Sequence, residues 1–408
     1  MKKELLLFFA IVGLFGFASG MSENVINNFF FDAYNVDPVQ RGLLEIPREM
    51  PGVLAFLVIA LASPIGDVRL SMLAQILCII GMSVLGFFTP PYAIMVMFVF
   101  VHSMGSHLFF PLQDSIALSI IGDKDVGKRM GQYGSIRTAC AMVASIIIFI
   151  GFRAGVFSFV TQLKMPFVIG VIGFISVFAM LLLLYKKYNV VGEARKKKFE
   201  IIIKKEYKFY YILAILTGVH RQIIMVFGTW VLVQILRQQA DTMSLLGIVS
   251  AFFGAIMLPA VGRLIDRLGT KKILLTEGLL FIILYAVFGF MSGGFSSGML
   301  SLTGIPLFVF FGMFIADRLV MQLGIVRSIY LRSIVTDPAD ITPTLATGLS
   351  MDHVVSIAFA SISGVVWNAL GPQYVFYTAA TLSIINVVVA ILIKQDPPSS
   401  APESPASA

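Results

Sequence analysis

Ionisable and amide side chains recur inside stretches of this sequence that are otherwise apolar. The segment LFVFFGMFIADRLVMQLGIVRSIYL (307–331) carries Asp317, Arg318, Gln322 and Arg327. TGVHRQ (217–222) carries His220, Arg221 and Gln222, and FVHSMGSHLFFPLQD (100–114) carries His102, His107, Gln113 and Asp114. SENVINN (22–28) adds Glu23, Asn24, Asn27 and Asn28, and Arg137, Glu277, Asp352 and His353 stand in further apolar stretches. Such groups bind charged solutes, carry protons or pair with one another. Each costs about 2.5–3.5 kcal/mol to place in hydrocarbon, so each must face a cavity or a partner.

Their positions define two depths. His107, His220, Arg221, Asp317 and Arg318 fall near the middle of their apolar stretches, whereas Asp114, Arg137, Arg327 and Asp352 fall about two to three helical turns from one end. For the middle set, a substrate or proton site is one reading and a group of self-satisfied packing pairs is the other. Asp317 and Arg318 are adjacent, so on a helix they point about 100° apart and do not simply cancel.

Other chemistries find no footing. There is no zinc-type ligand spacing, no phosphate-cradling loop and no nucleophile elbow, so neither an enzyme nor a cofactor is expected. The two cysteines, Cys78 and Cys140, lie within apolar stretches and read as buried thiols.

The elements that hold these residues follow from composition. The 408-residue chain is 58% hydrophobic and 13% charged, with mean hydropathy +0.92, against about a quarter charged for a soluble domain. A bilayer crossing needs about 20 apolar residues, and by that criterion about twelve helical spans are predicted. They lie near 5–30, 46–66, 70–89, 91–120, 130–152, 165–188, 207–236, 244–265, 271–291, 302–335, 343–370 and 373–393. The amino-terminal stretch has the look of a secretory signal, but its apolar character runs on to Phe31, and it is read as an uncleaved first span.

Lys and Arg gather on one set of loops, which the positive-inside rule makes cytoplasmic, with both termini inside and the protein in the plasma or inner membrane of the cell. The longest such loop carries the run EARKKKFEIIIKKEYK and separates spans 6 and 7. It divides the chain into an amino-terminal half (1–189), a basic linker (190–206), a carboxy-terminal half (207–394) and a Pro/Ser/Ala-rich tail (395–408). The net charge of +8 is therefore a matter of topology, and no nucleic-acid partner is expected.

After span 8 stands GRLIDRLGTKK (262–272). Gly262 is expected to let backbones approach, Gly269 to permit a tight turn, and Asp266 to pair with a base or cap a helix. With Leu264, Arg267, Lys271 and Lys272, the stretch resembles the signature Gly-x-Leu-x-Asp-Arg-x-Gly-x-Lys-Lys of the major facilitator superfamily. The resemblance implies two six-span halves rocking about a midplane site. It also implies a cavity lined by spans 1, 4, 7 and 10, and a conformational lock formed by Gly262, Asp266, Arg267 and Gly269. In the first half, SPIGDVRLS (63–71) offers Gly66, Asp67 and Arg69 but not the basic pair.

The expected function is secondary active transport of a small solute. Asn24, Asn27, His107, His220, Arg221, Asp317 and Arg318 are the candidate binding or coupling residues. The surplus of arginine leans toward an organic anion, and the histidines make protons a candidate coupling ion. Asp114 with Arg137 and Arg327 with Asp352 are expected as inner-gate ion pairs, or the four as one network across the halves that opens with the inner gate. The expected partners are a small solute, the bilayer and protons, and the expected state is a monomer. The competing readings are a transport-inactive receptor or assembly factor of the same fold, and an exporter of hydrophobic drugs or lipids.

Overall fold

The computed structural model describes residues 3–121, 126–188, 203–337 and 340–393. Residues 190–202 of the expected basic linker, Lys124 and the tail 395–408 lie outside the described residues. Apolar runs of this length fold as helices because a helix satisfies its own backbone where water cannot, and no strand occurs among the described residues.

The chain runs through α1 (Lys3–Glu23), α2 (Ile26–Tyr34), α3 (Pro38–Leu43), α4 (Glu45–Ala62), α5 (Asp67–Phe87), α6 (Tyr92–Ile121), α7 (Val126–Arg153) and α8 (Met165–Tyr188). It continues through α9 (Lys208–Gln222), α10 (Ala240–Leu268), α11 (Thr270–Ser296), α12 (Ile305–Val320), α13 (Ile325–Ile334), α14 (Ile341–Leu370) and α15 (Pro372–Leu392). Eleven segments among the described residues are long and apolar enough to cross a membrane. The remaining long helix, α4, matches the second predicted span and opens with Glu45, Arg48 and Glu49. Each predicted span coincides with a helical segment within a few residues of its expected bounds, although the second, on α4, is not among the eleven.

Three of the spans expected to line the cavity are interrupted. Span 1 breaks between α1 and α2 at Asn24 and Val25. There the Ser22 hydroxyl donates to Ser19 O and Asn24 Nδ2 approaches Gly20 O, side-chain bonds that compete with the helical ladder. Span 7 loosens into π-helix at Ile223–Gly228 and Val231–Ile235. Span 10 tightens into a 3₁₀ turn at Met321–Gly324 between α12 and α13. Such irregular turns concentrate at functional positions and hinges.

By packing, the chain divides into two compact units, Met1–Phe199 with Leu232–Ile248, and Glu200–Val231 with Val249–Ala408. In the first unit α1 packs on α7 and α8, and α5 on α6 and α8; in the second, α9 packs on α14 and α15, and α11 on α12 and α15. The same neighbour pattern thus occurs once in each. The segment Leu232–Ile248 joins the first unit through Gln238 O, which accepts from Asn28 Nδ2 at 3.1 Å, and through Arg237, 5.0 Å over the Phe31 ring. Asp241 stands 3.7 Å from Arg153 in the same unit.

The turn after α10 is a single residue. Gly269 has φ +78°, and Gly66 before α5 has φ +87°, a region that favours glycine. Gly66 is therefore the conformational counterpart of Gly269, which places Asp67 and Arg69 beyond the turn rather than opposite Asp266 and Arg267. Asp67 accepts from Ser115 at 2.5 Å, and Arg69 lies over the Tyr185 ring. Trp230 and Trp367 are both buried, with Trp367 against Phe227.

Candidate functional site

In the first unit the charges cluster at the break in span 1. Arg41 is fully buried; its Nε donates to Asn27 Oδ1 at 2.7 Å and its Nη1 to Glu45 Oε1 at 2.8 Å. Arg48 bonds the same Glu45 oxygen at 2.5 Å and reaches Glu23 at 3.3 Å. Asn27 is thereby committed to a buried guanidinium, and Asn24 donates to Ser145 Oγ on α7 at 2.8 Å. The signal for the network was the i, i+4 and i, i+3 spacing of Arg41, Glu45 and Arg48.

His107 is half-buried, with Nδ1 2.9 Å from Ser103 O. Asp114 accepts from the Tyr133 hydroxyl at 2.5 Å, and Arg137 lies 5.8 Å over Phe110. The expected Asp114–Arg137 pair is thus replaced by two separate contacts with aromatic residues.

The second unit holds two ion pairs. Arg327 Nη1 donates to both carboxylate oxygens of Glu277 on α11 at 2.9 Å, with Glu277 fully buried. Asp352 on α14 pairs instead with Arg221 at the end of α9, at 3.0 Å. The expected Arg327–Asp352 pair is therefore exchanged for Arg327–Glu277 and Arg221–Asp352. Equal depth was the right criterion, but Glu277 follows Thr270 by as many positions as Arg327 precedes Ile334, and adjacent antiparallel helices bring them together.

Around Arg221 the geometry is tight. Its Nη2 also donates to Ser356 Oγ at 3.0 Å, and Ser356 donates to Gly218 O at 3.3 Å. A Cβ on Gly218 would meet Asp352 O at 2.5 Å, so only glycine lets α9 approach α14 closely enough for the pair. Gly218→Val is expected to cost about 1–3 kcal/mol through overpacking, read as a lowered midpoint of thermal unfolding in detergent. The Arg221 side chain remains 30% exposed and that of Asp352 10%. Arg221 also lies near the centre of the 31-residue span Lys205–Ile235.

His220, by contrast, is fully buried. Its Nε2 is 3.0 Å from Ser383 Oγ on α15 and its ring lies 4.0 Å from that of Phe281. Asp317 is fully buried, and the Arg318 guanidinium lies 4.9 Å over Phe314.

At the lock motif, Asp266 and Arg267 are exposed. A Cβ on Gly262 would meet nothing within 4 Å, so the expected close backbone approach is absent. Lys271 donates to the final carbonyls of α15, Ile391 O at 2.7 Å and Ile393 O at 2.9 Å, which satisfies groups a helix end leaves open. On the same unit Lys204 and Tyr207 both bond Asp340. The bond from Lys204 holds the Asp340 carboxyl below its ordinary 3.8, and the same bond raises Lys204 above 10.5. A depressed acid loses its contribution only as pH falls through its folded value, and a raised base only as pH rises through its own, so this contact is constant across neutral pH.

The sequence profile of the Major Facilitator Superfamily matches residues 8–330. The chain belongs to that superfamily. Solved structures agree on the fold. The nucleoside transporter NupG superposes with TM-score 0.73 at 13% identity, covering 96% of this chain and 99% of that one. A POT family transporter in complex with 5-aminolevulinic acid gives 0.74 at 12% identity, covering 95% of each chain. A bacterial homologue of the iron transporter ferroportin, in an inward-facing state, gives 0.69 at 14%, covering 95% and 97%. A search of the curated proteins found no match. Superfamily membership makes this an integral membrane protein of a solute-transport family, with eleven apolar helices among its described residues.

Proposed function

We propose that this superfamily member is a secondary active transporter of a small organic anion, working by alternating access, with Arg221 as the solute's contact and Asp352 and Ser356 as the groups that position it. The observation that carries this reading is the partly exposed Arg221 guanidinium, held at mid-span by two partners on α14. A charge at that depth faces water rather than lipid. A guanidinium with fixed donors is the side chain best suited to a carboxylate or phosphate. The basic loops support a plasma or inner membrane location with cytoplasmic termini, and the working unit is taken to be the monomer.

Purified protein in liposomes, offered radiolabelled small mono- and dicarboxylates and phosphate esters beside a neutral nucleoside and a dipeptide, tests the reading. Saturable uptake of an anion supports it. Uptake of neutral solutes alone overturns the anion, and uptake of none overturns transport in favour of a receptor-like role.

Asp266, exposed in this conformation, is proposed as the movable half of the lock. Asp266→Asn is expected to change which of a set of single cysteines is labelled from the inner side, and an unchanged labelling pattern removes it from the lock.

A further inference from the structure

Arg221, Arg318 and Arg327 stand well inside the spans of the second unit, and two of them are held by acids. Arg327 pairs with Glu277 and Arg221 with Asp352. Arg318, near the centre of the span Ile305–Ile334, forms no ion pair or hydrogen bond among the described residues, and its Nε is buried without a partner. Its support is a ring: the guanidinium lies 4.9 Å over Phe314, fully buried one turn earlier on α12. An aromatic face steadies a guanidinium through its quadrupole and leaves the planar fork of donors open. The preceding residue, Asp317, tempers the charge but occupies none of those donors.

Depth and direction follow from neighbouring groups. Tyr285 of α11 stands beside Asp317, and its hydroxyl is 3.5 Å from the carbonyl oxygen of His220. Residues 317–318 and 220–221 therefore share one depth, and α12 packs on the π-helical turn Ile223–Gly228 that follows Arg221. The Arg318 side chain is half-buried and that of Arg221 is 30% exposed. A guanidinium at mid-span is costly in lipid, so both project from the water-facing side of the unit.

We propose that Arg318 is a second anion-binding group at the level of Arg221, and that the solute is a dianion with two separate carboxylate, phosphonate or phosphate groups. The assignment deepens the anion reading above and rests on it. Each guanidinium offers such a group two parallel donors. A solute with one anionic group uses one arginine, and a solute with two uses both.

Thermal unfolding of the purified full-length protein is measured against probes matched in chain length: succinate with butyrate, glutarate with pentanoate, adipate with hexanoate, and phosphonoacetate with acetate. A solute that binds the folded state raises the unfolding midpoint. In the wild type at least one dianion is expected to do so at a concentration about 10–150-fold below that of its matched monoanion, the equivalent of one further charge-assisted hydrogen bond. Arg318→Gln is expected to abolish this preference, and in liposomes to raise the KM for uptake of the same dianion by a similar factor. Without solute, Arg318→Gln removes no ion pair and is expected to unfold near the wild-type temperature. A monoanion that binds the wild type as tightly as its matched dianion, or a preference that survives in Arg318→Gln, overturns the dianion and leaves the anion reading standing. A loss of stability in Arg318→Gln as large as that in Arg327→Ala makes Arg318 a packing residue and also overturns it. A protein that no anion stabilises and that takes none up overturns both readings.

Discussion

Arg327→Ala is expected to lower the stability of the protein by about 3–5 kcal/mol, the usual cost of removing one partner from a buried ion pair. Glu277 has no exposure, and both its oxygens take their bonds from one guanidinium nitrogen at 2.9 Å. Deleting Arg327 leaves that carboxylate with no counter-charge, so it must protonate or admit water. Glu277→Ala should be comparably harmful because it strands the cation. The double variant Glu277→Leu, Arg327→Met should recover most of the loss, since replacing a whole buried pair by apolar groups of similar volume is often neutral or stabilising. Midpoints of thermal unfolding in detergent, with expression level as a second readout, give the double-mutant cycle. Additive effects would mean that the two side chains do not act as a pair. The same cycle run on Arg327 and Asp352 is expected to be additive, because their charged partners are Glu277 and Arg221 respectively.

The second large effect concerns solute uptake. Arg221→Ala should reduce the rate of anion uptake at low solute concentration by about 10–150-fold, the equivalent of one charge-assisted hydrogen bond of about 1.5–3 kcal/mol. Arg221→Lys should recover only part of it, because Nη2 alone holds Asp352 and Ser356, and an ammonium lacks the planar guanidinium that can meet a carboxylate or phosphate with two parallel bonds. Asp352→Asn separates function from architecture. If Asp352 occupies the guanidinium until the solute displaces it, removing its charge should lower the KM for an anion even as maximal turnover falls. If the pair merely joins α9 to α14, both substitutions should lower stability and raise KM alike. Uptake kinetics of the three variants at matched reconstitution levels distinguish these outcomes, and a KM unchanged in Arg221→Ala would remove Arg221 from the solute path.

The sequence by itself determined the class of fold, the positions of the spans and the superfamily. Twenty-residue apolar runs have one stable solution in a bilayer, and hydropathy reports them directly. It also determined that charges stand inside the spans, because their cost there demands a reason. Gly269 was legible as a turn because its role is set by its own backbone. What only the tertiary structure decided is which charge meets which. Helix rotation sets that, and a one-residue step turns a side chain by about 100°. Arg327 and Asp352 lie at plausible depths to pair, yet α13 packs against α11 and presents Arg327 to Glu277, while the close approach at Gly218 brings Asp352 to Arg221. The same rotation carries His220 to Ser383 and sets Asp317 beside Tyr285 of α11. Hydropathy measures depth along the membrane normal, whereas pairing depends on azimuth around each helix, and azimuth is settled only when the helices pack.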